Sequence, residues 1–177
     1  MMVCLLNNIL VPRTFKLYEE LEKAEKGHLT DQNVTYGLDK GDDKSFTQWN
    51  GTIIGPVNTN FDNRIYFLTL RCNDDYPVKP PQISFLSKVN LPSVNPSNGK
   101  VEPRFSGFQH WTPDKGMEQM LIGLKNEMIA NKKLPQPQDG DMYAWATWNE
   151  CEWMTTHLSN YNIRKENKSA KIPARIS

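Results

Sequence analysis

Residues 75–81 read DYPVKPP, and this run decides how the chain is organised. Pro77, Pro80 and Pro81 cannot donate to a β-ladder, so the run interrupts any sheet it meets. It makes a rigid corner, and the aromatic Tyr76 before Pro77 is compatible with a cis bond. Strand-like runs flank it on both sides: Arg64–Arg71 (RIYFLTLR) before, Gln82–Leu86 (QISFL) after. We read the corner as scaffold with no chemistry of its own.

Working upstream, Trp49–Ile54 (WNGTII) is a further strand, and Asn33–Leu38 (NVTYGL) alternates. Val34, Tyr36 and Leu38 share one face, Thr35 and Gly37 the other. Gly55-Pro56 and Phe61-Asp62-Asn63 punctuate the runs. Four strands this close in sequence predict an antiparallel meander. Such a sheet can leave one face wet, where Thr35, Thr52 and Ile65 are expected as strand surface.

Before the strands, Pro12–Lys26 (PRTFKLYEELEKAEK) has Pro at its start and Gly27 at its stop, the punctuation of a helix. Glu19/Lys23 and Glu22/Lys26 sit four apart with the acid first. Leu17, Tyr18, Leu21 and Ala24 form the expected core stripe. At about 100° per residue, Phe15 points away from it. Geometry leaves two readings: a staple against Val11, or an exposed anchor for a partner.

Downstream, Ser93–Trp111 (SVNPSNGKVEPRFSGFQHW) is rich in turn formers and has the look of an exposed active-site loop. Thr112-Pro113-Asp114 reads as a helix start. Met117, Met120, Leu121, Leu124 and Met128 follow at core-facing spacing, the methionines as core filler. Pro135, Pro137 and Gly140 end that helix. Ser106, His110 and Asp114 stand four apart, but no nucleophile elbow or oxyanion donor set accompanies them, so a hydrolase is not supported.

The whole chain sets coarse bounds. It has 177 residues, 38% hydrophobic and 23% charged, enough for one packed domain plus some tail. A net charge of +1 gives no argument for nucleic acid or membrane. Cys4, Cys72 and Cys151 show no disulfide or metal spacing, which suits a reducing compartment, and Cys72 reads as a structural thiol. No apolar run reaches the roughly 18–20 residues of a membrane span. The apolar start, MMVCLLNNILV, is weak evidence for a signal peptide. No phosphate loop, metal cluster or dinucleotide fingerprint is present.

Helix, four strands, long loop, helix, stop is an α+β order, and it resembles the ubiquitin-conjugating fold. The blocks VPRTFKLYEELEKAEKG, TYGL, WNGTIIGP, DNRIY, YPVKPP, SKVNLPSVNPSNGKV and NKKLPQPQDGDMY together resemble the ubiquitin-conjugating enzyme variants, from about Val11 to Tyr143. The resemblance implies a domain over 11–143, with 1–10 and 144–177 as extensions and without the two C-terminal helices of active members. Active members carry His-Pro-Asn in the loop and a thioester cysteine three residues after a glycine. Here Asn95-Pro96-Ser97 and, three beyond Gly99, Glu102 stand at those places. A carboxylate cannot carry ubiquitin as a thioester, so the resemblance implies a non-catalytic protein that needs no cofactor or metal.

The family pattern also implies partners. Phe15 matches the aromatic that enters a pocket of an active ubiquitin-conjugating enzyme in a heterodimer, with Arg13 and the loop around Phe46 flanking it. Thr35, Thr52 and Ile65 match the surface that binds an acceptor ubiquitin noncovalently. Ubiquitin ligases are implied indirectly, as are a cytoplasmic and nuclear location and a role in DNA damage tolerance. A different function on the same fold is a stand-alone ubiquitin- or peptide-binding module. The extension after Tyr143 holds Trp145, Trp148 and Trp153 and ends basic; it is expected to be a disordered tail or short helix and dispensable, with an added docking segment or nuclear address as the functional reading.

Overall fold

The computed structural model describes residues 12–41 and 44–146. The chain divides into two units, Met1–Tyr143 and Ala144–Ser177. The expectations for residues 1–10, for Cys4, Cys151, Trp148 and Trp153, and for a pair of missing C-terminal helices lie outside the described residues.

The order is α1 (Arg13–Glu25), β1 (Val34–Leu38), β2 (Gln48–Ile54), β3 (Ile65–Arg71), β4 (Gln82–Phe85), α2 (Ser106–Gln109) and α3 (Met117–Ala130). The strands form one antiparallel sheet in sequence order, so the meander is as expected. Register follows the alternation: Val34 faces Ile53, Tyr36 faces Gly51, and Trp49 faces Leu70. Val34, Trp49, Ile53, Leu68, Leu70 and Phe85 all lie fully buried on the inner face. There α3 supplies Met117, Met120, Leu121, Leu124 and Met128, every one buried, the stripe that the spacing predicts. Tyr76–Pro77 is cis, and the proline corner separates β3 from β4.

Three local readings need correction. Tyr18 is 56% exposed, not part of the core stripe. The buried face of α1 is Leu17 and Glu20, so the stripe turns one position away from Tyr18. α3 begins at Met117 rather than near Thr112, with Gly116 as its N-cap. A Cβ on Gly116 would lie 1.8 Å from the Glu20 carboxylate, so only glycine lets the two elements approach. The short α2 inside the loop was not anticipated; its four residues are too few to show a period.

α1 and α3 are joined by charge. Glu118, 1% exposed, accepts from Lys23, from the Thr30 hydroxyl (2.8 Å) and from its backbone N–H (2.5 Å). Lys125 pairs with Asp31 in the turn before β1. Buried carboxylates with this many donors are satisfied, and removing a donor would strand a charge.

Candidate functional site

Three places bear on function: the first turns of α1, the outer face of the sheet, and the loop after β4.

On α1, Phe15 is 68% exposed, as its angle off the stripe predicts. Tyr18, one turn on, is exposed too, and its ring lies 4.8 Å from that of Phe46. Phe46 itself is buried at 8% and has φ +52. Its carbonyl accepts from the indole of the fully buried Trp49 at 2.9 Å. The ring of Phe46 is therefore a wall beneath Tyr18, not an offered contact. Arg13 donates to the carbonyls of Ser45 (2.8 Å), Cys72 (2.9 Å) and Asn73 (3.1 Å), so its guanidinium is engaged within the chain.

Sequence reasoning missed Glu20. Its carboxylate accepts from Tyr36 (2.8 Å) and Tyr76 (3.3 Å) and from the backbone N–H of Met117 at the start of α3. A carboxylate at a helix N-terminus meets free N–H groups and the positive end of the dipole. Burial pushes the Glu20 carboxyl above its ordinary range, against these bonds and the charge of Lys16. The signal lay in the spacing, since Glu20 stands between Leu17 and Ala24 in the stripe. Hydrophobic patterning counts a carboxylate as exterior and passes over it.

On the sheet, Thr35 pairs with Thr52, Thr52 with Phe67, and Ile54 with Ile65. Thr35, Thr52 and Ile65 thus share the face opposite the helices. They are not equally wet. Thr35 and Ile65 are half-buried, while Thr52 is 9% exposed and its hydroxyl has no hydrogen-bond partner.

The loop after β4 is sewn down more firmly than its turn formers suggest. Val94 bridges Val101, and Gly99 donates to Asn95 O at 2.8 Å. Gly99 has φ +70, and a Cβ there would lie 2.4 Å from Phe85 O, so both conformation and space require glycine. Glu127 of α3 accepts from the Ser93 N–H (3.0 Å) and hydroxyl (2.7 Å). Pro96, Ser97 and Asn98 at the tip, and Lys100 beside it, reach solvent, while Ser93, Val94, Gly99 and Val101 are buried. Glu102 pairs with Arg104 at 2.8 Å and accepts from the Asn95 amide at 3.3 Å. Glu102 is thus a held carboxylate.

The other candidates, Cys72 and the Ser106, His110 and Asp114 set, are held within the fold. Cys72 is fully buried, and burial, with the nearby Glu20 charge, pushes its thiol up to about 12. His110 Nδ1 lies 2.9 Å from the Ser106 carbonyl and 3.5 Å from the Ser106 hydroxyl, so the ring is bound to its own helix turn. Asp114 is held by Thr112, and no triad forms among the described residues. Among them, too, no cluster suits a metal and no helix is long and apolar enough to cross a membrane.

Comparison with known proteins decides the family. The family model described as "Ubiquitin-conjugating enzyme" matches residues 16–158. The chain belongs to the ubiquitin-conjugating enzyme family. Among its relatives is the "Ubiquitin-conjugating enzyme variant MMS2" of Saccharomyces cerevisiae, 47% identical over 135 residues, covering 75% of this chain and 98% of that protein. The "Ubiquitin-conjugating enzyme spm2" of Schizosaccharomyces pombe is 46% identical over 136 residues (75% and 97%). The "Ubiquitin-conjugating enzyme E2 variant 1B" of Arabidopsis thaliana is also 46% identical (75% and 85%). Within the ubiquitin-conjugating enzyme family the chain is thus a variant. The structure of human ubiquitin-conjugating enzyme E2 G1 superposes with a TM-score of 0.58 at 27% identity, covering 68% of this chain and 98% of that one. The α+β ubiquitin-conjugating fold expected from the order of elements is the one observed.

Proposed function

We propose that this variant is a non-catalytic subunit. It pairs with an active ubiquitin-conjugating enzyme and holds an acceptor ubiquitin for synthesis of non-degradative chains. The observation that carries this is the loop after β4. The loop is held by its turns, and Glu102, paired with Arg104, stands where the resemblance puts the nucleophile. A carboxylate there gives no thioester, and the buried Cys72 does not replace it.

The division of labour follows from two surfaces on opposite sides of the sheet. Phe15 on α1 is a free aromatic of the kind that anchors interfaces. Thr35, Thr52 and Ile65 lie on the outer face and meet acceptor ubiquitin. Two ligands then bind without overlap. The gain in rate is positional: the chosen lysine of the acceptor is held against the thioester on the partner, and good alignment supplies roughly 7–11 kcal/mol. Ubiquitin ligases reach the assembly through the active subunit. A place in the cytoplasm and nucleus, and in DNA damage tolerance, accords with this role.

Two assays test it. Incubated alone with activating enzyme, ATP and ubiquitin, the chain is expected to form no adduct that thiol reductant removes. Mixed with active ubiquitin-conjugating enzymes on a sizing column, it is expected to move with one of them as a one-to-one complex. A reductant-sensitive adduct, or no complex with any active enzyme while ubiquitin still binds, overturns the reading; the latter result is that of a stand-alone binding module.

A further inference from the structure

We infer that Arg13 is a positioning residue for Phe15, and not a second contact to the partner. The inference rests on the reading of Phe15 as the anchor.

The guanidinium is used internally. Nε donates to Asn73 O (3.1 Å), Nη1 to Ser45 O (2.8 Å) and Nη2 to Cys72 O (2.9 Å), with longer approaches from Nη2 to Thr47 Oγ1 (3.4 Å) and Phe46 O (3.5 Å). All three nitrogens serve acceptors of this chain. These acceptors belong to two segments, the turn before β2 and the stretch after β3, which are themselves joined by Cys72 N–H to Thr47 O (2.9 Å). The planar fork spans both, a geometry that a lysine point charge cannot reproduce.

The charge does not serve the helix. Arg13 is the first residue of α1, where a cation opposes the dipole. α1 has no side-chain N-cap and no acid in its first turn. Nor, among the described residues, is an acid paired with Arg13 in an ion pair. What the cation does at this place is tie the free end of the helix to the sheet.

Phe15 sits two residues further on, in the same turn. With 68% of the residue exposed, the direction of its ring depends largely on the turn that carries it. Tyr18 on Phe46 supports the next turn. Phe46 holds a left-handed conformation within the segment that Arg13 clamps, with its carbonyl bound to Trp49. Arg13 therefore sets the angle at which Phe15 leaves the surface. An interface built on one aromatic entering one pocket is sensitive to that angle.

A double-mutant cycle separates positioning from contact. Affinity is measured by calorimetry for the active ubiquitin-conjugating enzyme that binds the intact chain, using the native chain, Phe15→Ala, Arg13→Lys and the double variant. Arg13→Gln serves as a second probe, and melting temperatures are recorded for all. We expect Arg13→Lys to weaken binding about tenfold in the native background and less than about twofold when Phe15 is already alanine, because the pair acts as a unit. The same non-additivity is expected with Arg13→Gln. Losses that multiply show that Arg13 touches the partner itself and overturn the inference while leaving the anchor intact. Native affinity for Arg13→Lys overturns it too, since charge alone then suffices. Native affinity for Phe15→Ala removes the anchor, and with it both readings.

Discussion

Truncating Phe15 to alanine is the perturbation whose size the structure fixes best. A phenylalanine side chain offers on the order of 200 Å² to an interface, and 68% of Phe15 is free here. That leaves about 130 Å² to be buried on association. At about 25 cal/mol per Å² this contributes roughly 3 kcal/mol. Ordering a rotatable side chain takes back about 1 kcal/mol, so the net loss on truncation is about 2 kcal/mol, close to a 30-fold weaker Kd. The fold should not notice. The ring lies off the buried face of α1, and alanine is a better helix former than phenylalanine. Calorimetry against the active ubiquitin-conjugating enzyme reads the affinity, and a melting curve reads the fold. If the variant unfolds, or binds like the native chain, the exposed ring is not the anchor.

The remaining predictions concern the buried carboxylates and the sheet. Glu20→Ala strands two tyrosine hydroxyls and the Met117 N–H, and should cost about 3 kcal/mol, or roughly 6–12 °C in Tm. Glu20→Gln keeps an acceptor and should cost much less. Because the folded Glu20 carboxyl titrates above its unfolded value, its contribution is fullest below the unfolded range and is lost as pH rises through the folded pKa. The native chain should therefore lose ground to Glu20→Gln in Tm as pH climbs from 4 towards neutrality; a constant gap would show that Glu20 is not desolvated. Glu118 has the opposite sign. Burial pushes its carboxyl up, but the bonds from Lys23 and Thr30 outweigh burial and hold it below its ordinary range. Glu118→Gln should thus destabilise most at pH 7, with the deficit shrinking as pH falls through the folded pKa of Glu118; a deficit that grows on acidification contradicts this. Ile65→Ala, or Thr35→Glu, should slow chain synthesis while binding to the active enzyme persists, since both lie on the face opposite the helices. Equal loss of both activities refutes that separation.

How much of this was legible in the sequence depended on whether periodicity or proline carried the signal. The four strands, the corner at Tyr76–Pro81 and the α3 stripe follow from alternation, from three missing donors and from 3.6-residue spacing. The angle put Phe15 off the core stripe but left open a staple against Val11, which its 68% exposure argues against. Tyr18 was misplaced because it borders Leu17 on the helical wheel, and a wheel drawn from residue types does not say where the stripe ends. Glu20 and Glu118 escaped because patterning assigns charge to solvent, whereas each is buried by donors from distant segments: Tyr36, Tyr76 and Met117 for one, Lys23 and Thr30 for the other. The resemblance implies Arg13 as a flank of the partner contact; its internal role was not legible, because its three carbonyl acceptors lie 32 to 60 residues away and leave no local trace. Thr52 was expected on a wet face. Its parity was right, but its burial depends on packing that alternation does not encode.

The most direct test of the central claim is a chain-synthesis gel. Activating enzyme, ATP, ubiquitin and the active ubiquitin-conjugating enzyme that binds this chain are incubated with and without it, and free polyubiquitin is followed over time. The account predicts that chains of a single non-degradative linkage accumulate only when both subunits are present, and that Glu102→Ala supports them as well as the native chain does. Chains formed at the same rate without this protein, or abolished by Glu102→Ala in a folded variant, would contradict it.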